Sequence, residues 1–179
     1  MRLIISSLVA SGCLIAGAIN PTSVLDGSFS TIGLSISKGE EDTKNVTGFY
    51  EYSLLMGAGL RFEYSKNINE LSEFSSTDIS KYGLFAVYNI AVPTTSLSIT
   101  PKIGLVKTDS EFELLDTSKK VTSKETKFTY GVELNYNFND RASIFVGYTD
   151  YGNNIKSKDD LKLKNLDGKN VALGFKFKL

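Results

Sequence analysis

The sequence predicts an all-β fold, an eight-stranded antiparallel up-and-down transmembrane β-barrel. Three observations carry that expectation. Segments along the chain alternate apolar and polar residues with period two, the signature of strands with two different faces. The face opposite the apolar one carries glycine, hydroxyl, amide and charged residues, as a polar barrel interior would. The connections alternate between long and short, so an up-and-down meander gathers all long loops at one end.

The first strand is residues 28–37, with Ile32, Leu34 and Ile36 on one face and Thr31, Gly33, Ser35 and Ser37 on the other. Residues 47–66 read either as one very long strand or as a hairpin turning near 53–55. In the hairpin, the second arm puts Met56, Ala58, Leu60, Phe62 and Tyr64 outward and Gly57, Gly59, Arg61 and Glu63 inward. In the fourth strand, 79–90, two parities compete: Tyr82, Leu84, Ala86 and Tyr88 against Phe85 and Val87. Asn89 argues that the odd positions face inward. The fifth, 96–107, points Leu97, Ile99, Ile103 and Leu105 outward and Ser98, Thr100, Lys102 and Gly104 inward. Its Pro101 would be unusual in the middle of a soluble sheet.

The sixth strand is the cleanest. Phe128, Tyr130, Val132, Leu134, Tyr136 and Phe138 alternate with Thr129, Gly131, Glu133, Asn135 and Asn137. The seventh spans 142–151. The eighth, 170–179, sets Val171, Leu173, Phe175, Phe177 and Leu179 against Ala172, Gly174, Lys176 and Lys178. The long connections are 38–46, 67–78, 108–125 and 153–167, and the short ones are 53–55, 91–95 and 139–141. Aromatic residues near strand ends suggest girdles at two headgroup levels. Tyr50, Tyr52, Tyr88, Tyr136, Phe138, Phe175 and Phe177 fall on the turn side; Phe62, Tyr64, Tyr82, Phe128, Tyr130 and Tyr148 fall on the loop side.

Residues 1–18 read as a signal peptide: Met1-Arg2, a short uncharged apolar core, then Ala16-Gly17-Ala18 with Ala16 and Ala18 at the cleavage motif. A competing reading takes Ala10-Ser11-Gly12-Cys13 as a lipidation motif. Cys13 is the only cysteine, so after cleavage neither disulfides nor thiolate metal sites are expected. Residues 19–27 are then a periplasmic N-terminal segment and 28–179 the barrel domain. The chain has no histidine, which excludes Ser-His and Cys-His catalysis and imidazole metal ligation. Lys+Arg and Asp+Glu are equal at 20 each, so no global charge draws it to nucleic acid.

The end of the chain resembles the assembly signal of bacterial outer-membrane barrels, with Gly174, Phe177 and Leu179 in the places of its glycine and two hydrophobic residues. The whole of 28–179 resembles the small OmpA/OmpX and opacity-type barrels. That resemblance favours the hairpin within 47–66 and matches a proline in the fifth strand. It implies an outer-membrane location in a Gram-negative envelope. It also implies contact with lipid and lipopolysaccharide, insertion by the barrel-assembly machinery, no cofactor and no enzymatic activity. The peptidoglycan-binding domain of full OmpA proteins is not expected.

Arg61, Glu63, Lys102 and Glu133 are the inward charges in mid-strand. Strands five and six are neighbours, so Lys102 and Glu133 could pair. An eight-stranded lumen is narrow and filled by side chains, and buried charges there must be paired. The set reads first as a structural plug, second as a gated ion path, and last as an acid–base pair of Glu63 and Glu133. Lys119, Lys120, Lys124, Glu125 and Lys127 make the third loop basic, and 156–164 is of mixed sign. Either is simply solvated or meets anionic lipopolysaccharide phosphates or host glycans. Asp159, Asp160 and Asp167 lack the spacing of a calcium loop. Three functions follow: a non-enzymatic barrel presenting loops for envelope integrity, adhesion or surface contact; a narrow porin-like channel; and a soluble lipocalin-like ligand carrier. The polar inward face opposes the last.

Overall fold

The computed structural model describes residues 29–39, 43–69, 74–114, 120–152 and 168–179. The strands are β1 (Ser30–Lys38), β2 (Lys44–Ser53), β3 (Ala58–Asn67), β4 (Phe74–Tyr88), β5 (Leu97–Leu114), β6 (Lys120–Asn137), β7 (Ala142–Asp150) and β8 (Lys169–Lys178). Each pairs antiparallel with its neighbour in sequence, β4 meeting β5. The ring closes between the first and last strands, where Ser35 faces Gly174. Closure leaves the wall no open edge, the condition for crossing hydrocarbon. No helix among the described residues is long and apolar enough to cross a membrane.

The alternation sorts inside from outside as the sequence predicts. Ile32, Leu34, Leu60, Phe62, Leu105, Phe128, Leu134 and Leu173 are exposed on the outer wall, where lipid covers them, while Thr31, Ser35, Arg61, Thr100, Thr129 and Asn135 are buried in the lumen. In β4 the odd positions face inward, with Phe85 and Val87 buried and Tyr82 and Leu84 outside. Pro101 leaves a gap in the ladder. Pairing of the β4 side with β5 lapses between Val87↔Lys102 and the two-residue segment Ile90–Ala91, which resumes at Ile90↔Ile99. Proline has no N–H to give there.

Three expectations are corrected. The turn after β2 is 54–57, one residue longer than 53–55 and displaced toward β3. Leu55–Gly57 form a tight turn in which Met56 has φ 61°, so Met56 and Gly57 are turn residues and β3 starts at Ala58. Tyr50 and Phe62 lie directly opposite each other, so they share one level rather than dividing between two girdles. The Tyr64–Tyr82 pair at 5.2 Å and the Tyr136–Phe138 pair at 5.4 Å do stand at opposite ends.

The largest correction concerns 67–78 and 108–125, which contain strand. β4 has 15 residues and β5 and β6 have 18 each, against 9 or 10 in the other five strands. β3 leaves β4 at Lys66↔Ser80 and β7 leaves β6 at Tyr130↔Asp150. β4, β5 and β6 continue together to Phe74↔Leu114 and Glu113↔Lys120. This three-stranded ribbon rises about 20–25 Å beyond Lys107 at about 3.3 Å per residue. Its sequence is mostly polar, with Phe74, Ile79, Phe112, Leu114 and Val121 scattered through it, so no sustained hydrophobic alternation reveals it.

The lumen charge plug and the cup beneath it

Six charged side chains from five strands meet inside the barrel. Glu51 on β2 stands directly across from Arg61 on β3. Arg61 donates from Nε and Nη2 to Glu51 Oε2 at 2.9 and 2.6 Å. Its Nη1 also reaches Glu63 Oε1 at 3.3 Å. Across the lumen, Nη1 donates to Glu133 Oε1 and Nη2 to Glu133 Oε2 at 3.0 Å. Lys102 on β5 donates to Glu63 Oε1 at 2.8 Å, and Lys176 on β8 donates to Glu133 Oε2 at 2.7 Å. Three cations meet three carboxylates, so the cluster is neutral. Arg61 is fully buried at 0 % exposure, and neutrality with full hydrogen bonding is what such burial requires.

Inward aromatic rings pack against the same cations. Arg61 lies over Phe49 at 4.3 Å, Lys102 over Phe85 at 4.8 Å and Lys176 over Phe145 at 5.0 Å. Phe49 and Phe145 touch edge to face at 5.9 Å. Glycine makes room for these rings. A Cβ on Gly33 would sit 2.1 Å from the Phe49 ring, and one on Gly174 would sit 2.5 Å from the Phe145 ring.

The structure brings all four sequence-selected charges together and includes the Lys102–Glu133 pair, with a nearer partner for Lys102 beside it. Lys102 takes Glu63 as its near partner and lies 3.7 Å from Glu133. Glu133 belongs chiefly to Arg61 and Lys176. Glu51 and Lys176 are members that sequence reasoning missed. Both have inward parity, but each lies near the turn end of its strand, where a solvated charge is the ordinary reading. Gly174 faces the lumen, Phe177 faces outward opposite Ile32, and the Leu179 amide donates to the Ser30 carbonyl at 2.8 Å. Ala16, Ala18, Lys119 and residues 156–164 lie outside the described residues.

The charge layer divides the lumen. On the loop side, a cavity of about 20 Å³ touches Glu63, Lys102 and Glu133. That holds about one water. On the turn side, a cup of about 420 Å³ has Glu51, Lys176, Ser98, Thr100 and Asn135 among its walls and opens past Phe29, Phe138, Arg141 and Lys178. Among the described residues, no group of three metal-ligating side chains is present. In the ribbon, register sets Asp109 across from Lys124, and Lys127 pairs with Glu125 at 2.8 Å. Acidic residues therefore stand beside Lys124 and Lys127 in the described part of the expected basic loop.

Solved barrels share this architecture. The N-terminal barrel domain of Pseudomonas aeruginosa OprF aligns at TM-score 0.65 with 15 % identity, over 86 % of this chain and 98 % of that one. A major outer membrane protein of Thermus thermophilus aligns at TM-score 0.60 with 10 % identity, over 86 % and 100 %. Ail, the attachment invasion locus protein of Yersinia pestis, aligns at 0.53 with 18 % identity, over 85 % and 97 %. No curated protein matches the sequence. Residues 7–178 match the outer membrane protein beta-barrel domain. With a closed wall, an apolar belt and a polar lumen, the chain is an outer-membrane β-barrel protein and belongs to that family.

Proposed function

We propose that this protein is a non-enzymatic, closed outer-membrane anchor that holds surface segments away from the lipid. The observation that carries the reading is the neutral six-charge plug, whose side chains bond to one another across the lumen from five strands. A pore needs a continuous wet path, and a lipocalin-like carrier needs an apolar interior; this lumen offers neither. The β4–β5–β6 ribbon supplies the presenting element, set in lipid and lipopolysaccharide at its base. Its mixed charges, with Asp109 across from Lys124 and Glu125 on Lys127, fit a mixed or protein partner better than a polyanion. Ail, a barrel of the same architecture, has been solved with the heparin analogue sucrose octasulfate, so a sulfated glycan is the comparison ligand. Insertion by the barrel-assembly machinery, with Gly174, Phe177 and Leu179 as its recognition strand, belongs to the same proposal.

Planar-bilayer recording tests the closed state. The wild-type barrel is expected to give no stable open conductance, whereas Arg61→Ala with Lys102→Ala opens a small pore. Reproducible ion-selective steps from the wild type that vanish in Glu133→Gln would make it a channel. A Glu111→Cys variant tests presentation. It should react with a membrane-impermeant maleimide on intact cells, and a silent site would place the ribbon elsewhere.

A further inference from the structure

The turn between β2 and β3 breaks the rule for a turn that faces water. Such turns ordinarily carry glycine, asparagine, aspartate, serine or proline. Residues 53–57 read Ser-Leu-Leu-Met-Gly, with three apolar residues together at the tip. Leu54 is 45 % exposed and Met56 49 %. Met56 also sits at φ 61°, ψ 31°, in the left-handed region that glycine or asparagine takes more readily. Thr94 is the other non-glycine residue at positive φ among the described residues, and its hydroxyl donates to the Pro93 carbonyl at 2.6 Å. Met56 has no hydroxyl or amide to do the same.

The outer face of this hairpin is continuous with the lipid belt. Tyr50, Tyr52 and Leu54 run down β2 into the turn on the exposed side, and Leu60, Phe62 and Tyr64 run back up β3. Between Val46 and Tyr64 the charged residues are Glu51, Arg61 and Glu63, all three buried in the lumen. No charge therefore interrupts the outer surface on its way round the turn. The β6–β7 hairpin is the contrast. Its tip is Asn139-Asp140-Arg141, and Asn139 Oδ1 accepts from the Arg141 and Ala142 amides at 2.9 and 2.8 Å. That turn is finished for water, polar and closed by its own side chain. Both lie at the short-turn end, which faces the periplasm in outer-membrane barrels. One part of that end is apolar and another charged.

An apolar tip that adjoins a lipid-covered wall is best covered by the same membrane. We propose that the 54–57 turn inserts into the periplasmic leaflet of the outer membrane, with Leu54 and Met56 in lipid, while 139–141 stays in water. The Gly57 carbonyl accepts from the Asn89 amide at 2.8 Å, so the embedded turn also fixes the foot of β4, the first strand of the ribbon. Insertion requires only that the barrel sits in a bilayer, so a conducting barrel or a silent ribbon leaves it standing.

The test uses the barrel refolded in phosphatidylethanolamine–phosphatidylglycerol vesicles. Cys13 is the only cysteine and lies in the expected leader, so a thiol introduced by Met56→Cys, Leu54→Cys or Asp140→Cys is unique in the mature protein. Each is spin-labelled. Relaxation by oxygen, which concentrates in lipid, is compared with relaxation by a water-soluble nickel chelate present on both sides. Oxygen should dominate at 54 and 56, and the chelate at 140. The heat-modifiability gel shift confirms folding, and Leu54→Cys carries the test should Met56→Cys fail to fold. Leu54→Asp with Met56→Asn, the latter suited to the left-handed backbone, should shift a label placed by Ala58→Cys from oxygen toward the chelate. A label at 56 or 54 that the chelate reaches as readily as the one at 140 overturns insertion. So does an Ala58→Cys label that the double variant leaves unmoved. A turn open to the chelate in lipid vesicles but shielded in isolated outer membranes would be covered by a protein, and the proposal would again fail.

Discussion

Removing the charge of Glu133 tests the plug most directly. Glu133→Gln keeps the shape and one acceptor oxygen but turns a neutral cluster into one of net charge +1. The geometry says where that charge settles. Arg61 keeps Glu51 at 2.6 Å and Glu63 at 3.3 Å, and Lys102 keeps Glu63 at 2.8 Å. Lys176 loses the carboxylate it meets at 2.7 Å, and it sits only 10 % exposed. Breaking a buried pair costs about 3–5 kcal/mol, and the retained acceptor and the nearby cup place this case near 3 kcal/mol. Adding Lys176→Met removes the stranded ammonium and should recover about 1–2 kcal/mol, a coupling typical of contacting residues. Adding Lys102→Met instead should recover less, because its partner Glu63 is still present. The chain has no tryptophan, so urea unfolding in micelles is followed by far-ultraviolet circular dichroism and the gel shift. A silent Glu133→Gln, or equal rescue by Lys102→Met and Lys176→Met, would show that net charge rather than pair geometry governs the lumen.

Deleting residues 177–179 should leave the protein degraded in the periplasm, because the recognition strand and the closing ladder are both shortened, while Leu179→Phe assembles normally; immunoblots of membrane fractions decide. The mature chain should begin at Ile19, and N-terminal sequencing that instead finds a lipid-modified Cys13 would overturn the cleavage reading. Gly33→Val should destabilise by about 1–3 kcal/mol, since the new side chain must displace the Phe49 ring that covers Arg61; an unchanged urea midpoint would show that the ring has somewhere to go.

Period two determined much of this protein by itself. Successive residues of a strand point to opposite faces, so the alternation in 128–138 and 170–179 identifies the lipid face without reference to any neighbour. The same parity put Arg61, Glu63, Lys102 and Glu133 inside. Parity cannot say which inward residues share a height, because strands in a barrel tilt and are staggered against one another. That stagger brings Lys176, near the end of the last strand, level with Glu133 in the middle of β6. Register sets Glu51, near the turn after β2, directly across from Arg61. The ribbon was hidden for a different reason: above the membrane neither face of a strand need be apolar, so 108–114 and 120–127 hold only Phe112, Leu114 and Val121 as apolar residues, too few to mark a strand as the wall's alternation does. The sequence by itself determined which side chains enter the lumen; register and closure decided which of them meet.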